Sequence, residues 1–201
     1  MAEKPHYYDW DRFETGEGKE PDPESSRPPR KKSGGILEFL LILIVAFALV
    51  FGFVRPFVVE AFYIPSGSMI PTLEVDDRVL TNKFIYRFED PERGDVVVFR
   101  SVEGGDEDLI KRVVGVPGDE ISVRNGTLFV NGEAQKEPYV NRDAPDINTY
   151  GPVRVPDDSV FCMGDNRSNS RDSRFFGPVP YQNIEGEAFV TFWPPSRLGL
   201  L

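Results

Sequence analysis

A chain of 201 residues has room for one domain of ordinary size plus attachments. Its formal net charge of −10 argues against nucleic acid as a partner, because that requires clustered positive charge. Gly and Pro at 18 each and Phe at 16 suit a β-rich domain with many turns, and a single cysteine excludes an intramolecular disulfide.

Residues 1–35 are polar and rich in Pro, Gly and Glu, and read as a disordered cytosolic tail. The only histidine, His6, lies in it and reads as a solvated residue without function. From Ile36 to Val54 the chain is apolar, broken only by Glu38 and Gly52. That run is long enough to span a bilayer, and helix is the form in which one isolated span satisfies its backbone. A buried core helix is the alternative. Arg27, Arg30, Lys31 and Lys32 crowd its N-terminal side, while only Arg55 lies close on the other. This bias predicts a cytoplasmic N-terminus and an external segment after Pro56. The leader is too long and the apolar run exceeds the usual h-region, so an uncleaved signal anchor over 36–55 fits better than a cleaved signal peptide.

Residues 56–201 read as one external, mainly antiparallel β domain. Phe57–Ile64 is aromatic and β-branched, a strand near the membrane surface. Further strands are expected at Arg78–Phe84, Asp95–Arg100 and Leu109–Val116. The pairs Asn125-Gly126 and Asn131-Gly132 predict hairpin turns on either side of a strand at Thr127–Val130. Residues 133–158 are polar with several prolines and suggest a small insertion, bounded at about 118–158. Val160–Met163 and Ala188–Phe192 are the late strands. Cys162 reads as a small buried residue. Phe192-Trp193-Pro194-Pro195 reads as core, with an interfacial aromatic patch as the alternative.

Three segments carry candidate chemistry. Ile64-Pro65-Ser66-Gly67-Ser68-Met69 follows the apolar run by about ten residues and offers Ser68 as a nucleophile. Pro-Ser-Gly-Ser is also ordinary turn chemistry. Gly67 permits a tight turn that aims the Ser68 N–H and the Ser66 hydroxyl at one point, the makings of an oxyanion hole. The second segment holds Lys111, on a predicted strand whose alternation puts it on one face with Leu109 and Val113. By itself the pattern fits a surface lysine. Buried among apolar side chains, however, its amine would lose charge and could deprotonate a serine. The third is the dense polar run Gly164–Arg174. It reads as a solvated loop, or through Asp165 and Asp172 as an acid pair; no further ligand cluster supports a metal.

Taken together these segments resemble the type I signal peptidases, membrane-bound serine proteases that remove signal peptides from exported proteins. The resemblance rests on Ile64–Leu73 (IPSGSMIPTL), Arg93–Phe99 (RGDVVVF), Lys111–Asp119 (KRVVGVPGD) and Gly164–Arg174 with Gly177, in family order behind an apolar segment. It implies an antiparallel, barrel-like β catalytic domain with a small β insertion, preceded by one transmembrane helix. It implies Ser68 as nucleophile, Lys111 as general base, Ser66 and the Ser68 amide as oxyanion hole, and Ser170 as the residue orienting the lysine. Asp172 and Arg174 match a structural ion pair, and Asp165 and Asn166 shape the adjoining loop. Small residues of Ala-X-Ala type before the cleaved bond would sit in shallow pockets walled by Phe62, Ile64, Pro65, Met69, Leu73, Val98, Leu109 and Ile110. The implied partners are signal peptides of exported pre-proteins, the bilayer and the secretion translocon. No cofactor or metal is implied. The rivals are a Ser-Lys protease with another target, such as a self-cleaving repressor domain, and an inactive tethered β module that binds exported chains.

Overall fold

The computed structural model describes residues 35–54 and 58–201. The expected tail with His6, the flanking basic residues including Arg55, and Phe57 lie outside the described residues. Helix α1 runs from Ile36 to Leu49 and passes into a π-helical turn at Val50–Val54. Every residue of α1 except Glu38 is apolar. At 1.5 Å per residue its 14 residues reach about 21 Å, short of a hydrocarbon core of about 30 Å. Among the described residues no helix is long and apolar enough to cross a membrane.

The rest is mainly β, and every strand pairing is antiparallel. Its strands are β1 (Val59–Tyr63), β2 (Arg78–Asn82), β3 (Val96–Arg100), β4 (Asp108–Gly115), β5 (Glu120–Arg124), β6 (Thr127–Val130), β7 (Glu133–Ala134), β8 (Tyr150–Arg154), β9 (Ser159–Met163), β10 (Val179–Pro180), β11 (Ile184–Trp193) and β12 (Gly199–Leu200). One sheet has the order β1-β2-β11-β3-β4-β9-β10, with β12 on β11; the other is β7-β6-β5-β8. The expected strands lie within a residue or two of β1–β4, β6 and β9, and within the longer β11. The sequence reading missed β5, β7 and β8, which with β6 make up the second sheet, and the two-residue strands β10 and β12. Asn125 and Gly126 have φ of 48° and 78°, and Asn131 and Gly132 have 54° and 83°. These left-handed pairs are what two-residue hairpin loops demand, and they join β5 to β6 and β6 to β7.

Three apolar clusters hold the sheets. Val114, Ile121, Val123, Leu128, Phe161 and Met163 belong to the cluster that packs the second sheet against the first. Val97, Phe99, Val113, Val160, Cys162 and Val179 fill one face around β3, β4 and β9. Cys162 is fully buried there, as the sequence suggests, and burial pushes its thiol well above the usual range. The third cluster, described below, packs beneath Ser68. The core reading of Phe192-Trp193 needs correction: Phe192 is only half-buried and Trp193 is 51% exposed. Trp193 is the last residue of β11 and lies opposite Arg78, itself exposed on β2, so it has no sheet above it.

Candidate active site

Ser68 sits in a single 3-10 turn, Gly67–Met69, entered from Ser66 in extended conformation. Apolar neighbours fix this turn. Ile64 before it, Met69 at its end and Leu73 after it are buried with Val79, Val96, Val98, Ile110 and Ala188. The Leu73 amide donates to the Met69 carbonyl at 2.9 Å, and the Ile64 amide donates to the Asp77 carbonyl at 2.9 Å. The serine is thus carried on a loop nailed into the core at both ends.

Lys111 comes from the middle of β4, opposite Val97 of β3. Leu109 and Val113 lie on its face, as strand alternation requires, and it is 3% exposed. Its Nζ lies 2.8 Å from Ser68 Oγ and 2.7 Å from the Ile110 carbonyl, to which it donates. Burial lowers its pKa to about 8, against partial opposition from Asp172, Cys162 and Asp165. Each of those two carboxylates is already engaged. Asp172 accepts from Arg174 Nε at 2.8 Å and from the Gly164 amide at 3.0 Å. Asp165 accepts from Arg112 Nε at 3.0 Å and from the Thr72 hydroxyl at 2.5 Å. Arginine pairing weakens their hold on a lysine proton, so desolvation prevails. A neutral amine in this position can donate to the Ile110 carbonyl while its lone pair takes the Ser68 proton.

The Gly164–Arg174 loop lies against the serine. The Asn166 amide donates to the Ser68 carbonyl at 3.0 Å, and its side chain donates to the Gly67 carbonyl at 2.9 Å. Ser66 Oγ is 3.5 Å from Ser68 Oγ. The Ser68 amide is the second of a short helical turn that begins at Gly67, where N–H groups lack intrahelical acceptors. Ser170 Oγ is buried with no hydrogen-bond partner among the described residues, so it forms no bond to Lys111 in this arrangement. Asp172 caps the short helix α2 (Ser173–Phe176) and pairs with Arg174.

The expected pocket residues do not form one wall. Ile64, Met69, Leu73, Val98 and Ile110 belong to the cluster beneath Ser68, with Phe62 packed on it. Leu109 packs instead on the opposite-face cluster of Val97 and Phe99, and Pro65 is exposed. Strand alternation explains the division, since Leu109 and Ile110 are adjacent on β4 and point to opposite faces. Two strand edges remain open nearby. Among the described residues β1 pairs only with β2, and β9 pairs with β4 only from Arg112 to Gly115, leaving Asp108–Lys111 free on that side.

Gly164 marks how closely the parts approach. A Cβ there would lie 2.3 Å from Ser170 Oγ and 2.5 Å from the Ser68 carbonyl oxygen. The second obstacle is backbone and cannot rotate away. Gly164→Ala is therefore expected to displace Ser68 and to destabilise the fold, which a lower melting temperature of the variant would show.

The sequence reading gave no role to Thr72, Arg112, Glu137, Tyr139, Asp146 or Arg167, all of which brace the site. Arg112 carried a usable signal, because alternation places a charge directly after Lys111 on the other buried face.

A family model described as signal peptidase, peptidase S26, matches residues 36–193. A protein named probable signal peptidase I-2 from Synechocystis is 44% identical over 193 residues, covering 94% of this chain and 83% of that one. Signal peptidase I of Leptolyngbya laminosa is 44% identical over 186 residues, covering 89% of each. Signal peptidase IB of Staphylococcus aureus is 38% identical over 179 residues, covering 81% of this chain and 92% of that one.

Proposed function

The chain belongs to the S26 family of signal peptidases, which are serine peptidases, and from this we propose that it cuts signal peptides from exported pre-proteins with a Ser68–Lys111 dyad. The observation that carries the reading is the 2.8 Å contact between a hydroxyl and a buried amine of lowered pKa. In the first half-reaction neutral Lys111 takes the Ser68 proton as Oγ adds to the scissile carbonyl. The Ser68 amide and Ser66 hydroxyl carry the oxyanion charge, and losing one such donor costs about 10²–10³ in rate. Lys111 then gives its proton to the leaving amine, and an ester between Ser68 and the signal peptide remains. In the second half-reaction Lys111 takes a proton from water, the hydroxide displaces Ser68, and the proton returns to Oγ. No cofactor enters either half. Ser170 would orient the amine once substrate has settled.

The substrate would lie extended between the open edges of β1 and β4, taking main-chain hydrogen bonds from Asp108–Lys111. Phe62 and Ile110, over buried Ile64, Met69 and Val98, would form a shallow apolar floor that suits Ala-X-Ala. Replacing the alanine just before the cut bond by phenylalanine is expected to lower kcat/KM by about 10²-fold or more, the cost of overpacking. Cleavage of paired pre-proteins by purified enzyme, with Ser68→Ala as the blank, tests this. An equal rate for the phenylalanine substrate would contradict it.

The apolar run 36–55 would serve as a signal anchor, with residues 1–35 in the cytoplasm and 56–201, including the insertion at about 118–158, on the outer face. The excess of Lys and Arg before the run supports that orientation. The bilayer and the translocon would then be neighbours. Exposed Tyr63 and Trp193, which flank Arg78 across β1, β2 and β11, are the kind of side chains found at a membrane interface.

A further inference from the structure

The polar excursion between β7 and β8 carries two acidic residues that reach the catalytic loop. Glu137 accepts from Arg167, with Nη1 at 2.9 Å, and both side chains are almost fully buried. Asp146 pairs with Arg174, again with both side chains buried. These arginines bracket Ser170 in sequence and do more than pair. Arg167 Nε donates to the Gly164 carbonyl at 3.0 Å, and Arg174 Nη2 donates to the Arg167 carbonyl at 2.8 Å. The Asn141 amide donates to the Asp165 carbonyl at 2.9 Å, and the Tyr139 ring lies 4.2 Å from the Arg112 guanidinium carbon. The excursion is therefore tied at several points to the loop whose Asn166 holds the Ser68 and Gly67 carbonyls.

We propose that Glu137 and Asp146 are positioning residues for the Ser68–Lys111 dyad, acting through Arg167 and Arg174. The proposal rests on the dyad reading above. Glu137 fixes Arg167 over the Gly164 carbonyl and so fixes the start of the loop beneath Ser68. Asp146 has a second effect. Arg174 is shared between Asp146 and Asp172, and Asp172 faces Lys111. The other groups acting on Lys111 are Asp165, paired with Arg112, and Cys162. Without the Asp146 charge, Arg174 is left to Asp172 alone and offsets more of the negative charge that Asp172 presents to the amine. That disfavours the ammonium and moves the acid limb of the pH–rate profile to lower pH.

The test uses Glu137→Gln and Asp146→Asn in the full chain, measuring kcat, KM, the pH profile of kcat/KM and the melting temperature on one pre-protein. Both are expected to lower kcat about tenfold with KM within about twofold, since misplacement of reacting atoms acts on the chemical step. Asp146→Asn moves the acid limb down, while Glu137→Gln leaves it in place. Leu128→Ala, in the cluster under the second sheet, is the control: it lowers the melting temperature and leaves kcat unchanged well below the melt. Tyr139→Phe removes only the 3.0 Å bond from its hydroxyl to Glu137 and serves if the acid variants do not fold; it is expected to lower kcat about threefold. Unchanged kcat in the acid variants, or in Tyr139→Phe where they do not fold, would overturn the proposal, as would a loss that Leu128→Ala reproduces at equal destabilisation. An acid limb that stays put or rises in Asp146→Asn would overturn that residue's role. Cleavage by Ser68→Ala would instead remove the dyad reading itself.

Discussion

Lys111→Met is expected to abolish cleavage and at the same time to stabilise the protein near neutral pH. Loss of a general base costs about 10²–10⁴ in rate, and in the proposed mechanism the same group would also protonate the leaving amine and activate water. The stability change follows from the lysine's lowered pKa, about 8 against an ordinary 10.5. Between those values the unfolded chain binds a proton that the native chain does not, so native stability rises with pH across that window. Below about pH 8 both states are protonated and the whole cost of burying the charge is present, roughly 3 kcal/mol. Methionine fills similar space without charge but gives up the bond to the Ile110 carbonyl, worth about 1 kcal/mol. The net gain at pH 7 is about 2 kcal/mol, a rise in melting temperature of about 4–8 °C for a chain of this size. The advantage should vanish above about pH 10.5. Thermal melts of the two proteins at pH 7 and pH 11 check it, and a variant that melts lower than the parent at pH 7 would show that the amine is not desolvated.

Ser68→Ala is expected to be equally inactive for a different reason, and without the gain in stability. It removes the atom that would form the ester, so cleavage falls by about 10³-fold or more and no acyl-enzyme accumulates. The Lys111 amine stays buried and keeps its bond to the Ile110 carbonyl, so burial of its charge still costs stability near pH 7. Intact-mass analysis of acid-quenched reactions separates the two variants' parent from both: only the parent should gain the mass of the signal peptide. Cleavage by Ser68→Ala near the parent rate would end the nucleophile assignment.

Local chemistry made much of this legible in the chain. Period-two alternation placed Leu109, Lys111 and Val113 on one face, and the Asn-Gly pairs located both hairpins, because each signal depends only on neighbouring residues. The two longer strands of the second sheet beside β6, like the two-residue β7, escaped notice for the same reason. Glu120–Arg124 is short and flanked by charge, and Tyr150–Arg154 contains Gly151-Pro152, which reads as a turn. The pocket residues were grouped by hydrophobicity, and only the sheet shows that Leu109 and Ile110 serve opposite faces. Trp193 looked like core because an aromatic at the end of an apolar strand gives no sign that the neighbouring position is open. Ion pairs spanning about thirty residues, such as Glu137 with Arg167, leave no periodic trace.

A titration of the Lys111 side chain in the full-length protein, followed by the NMR shift of its ε-carbon and assigned by its absence in Lys111→Met, measures the decisive quantity. The expected result is a pKa near 8 that coincides with the acid limb of kcat/KM. An ordinary value near 10.5, well above the acid limb of kcat/KM, would mean that the amine beside Ser68 is charged while it works and is not the base.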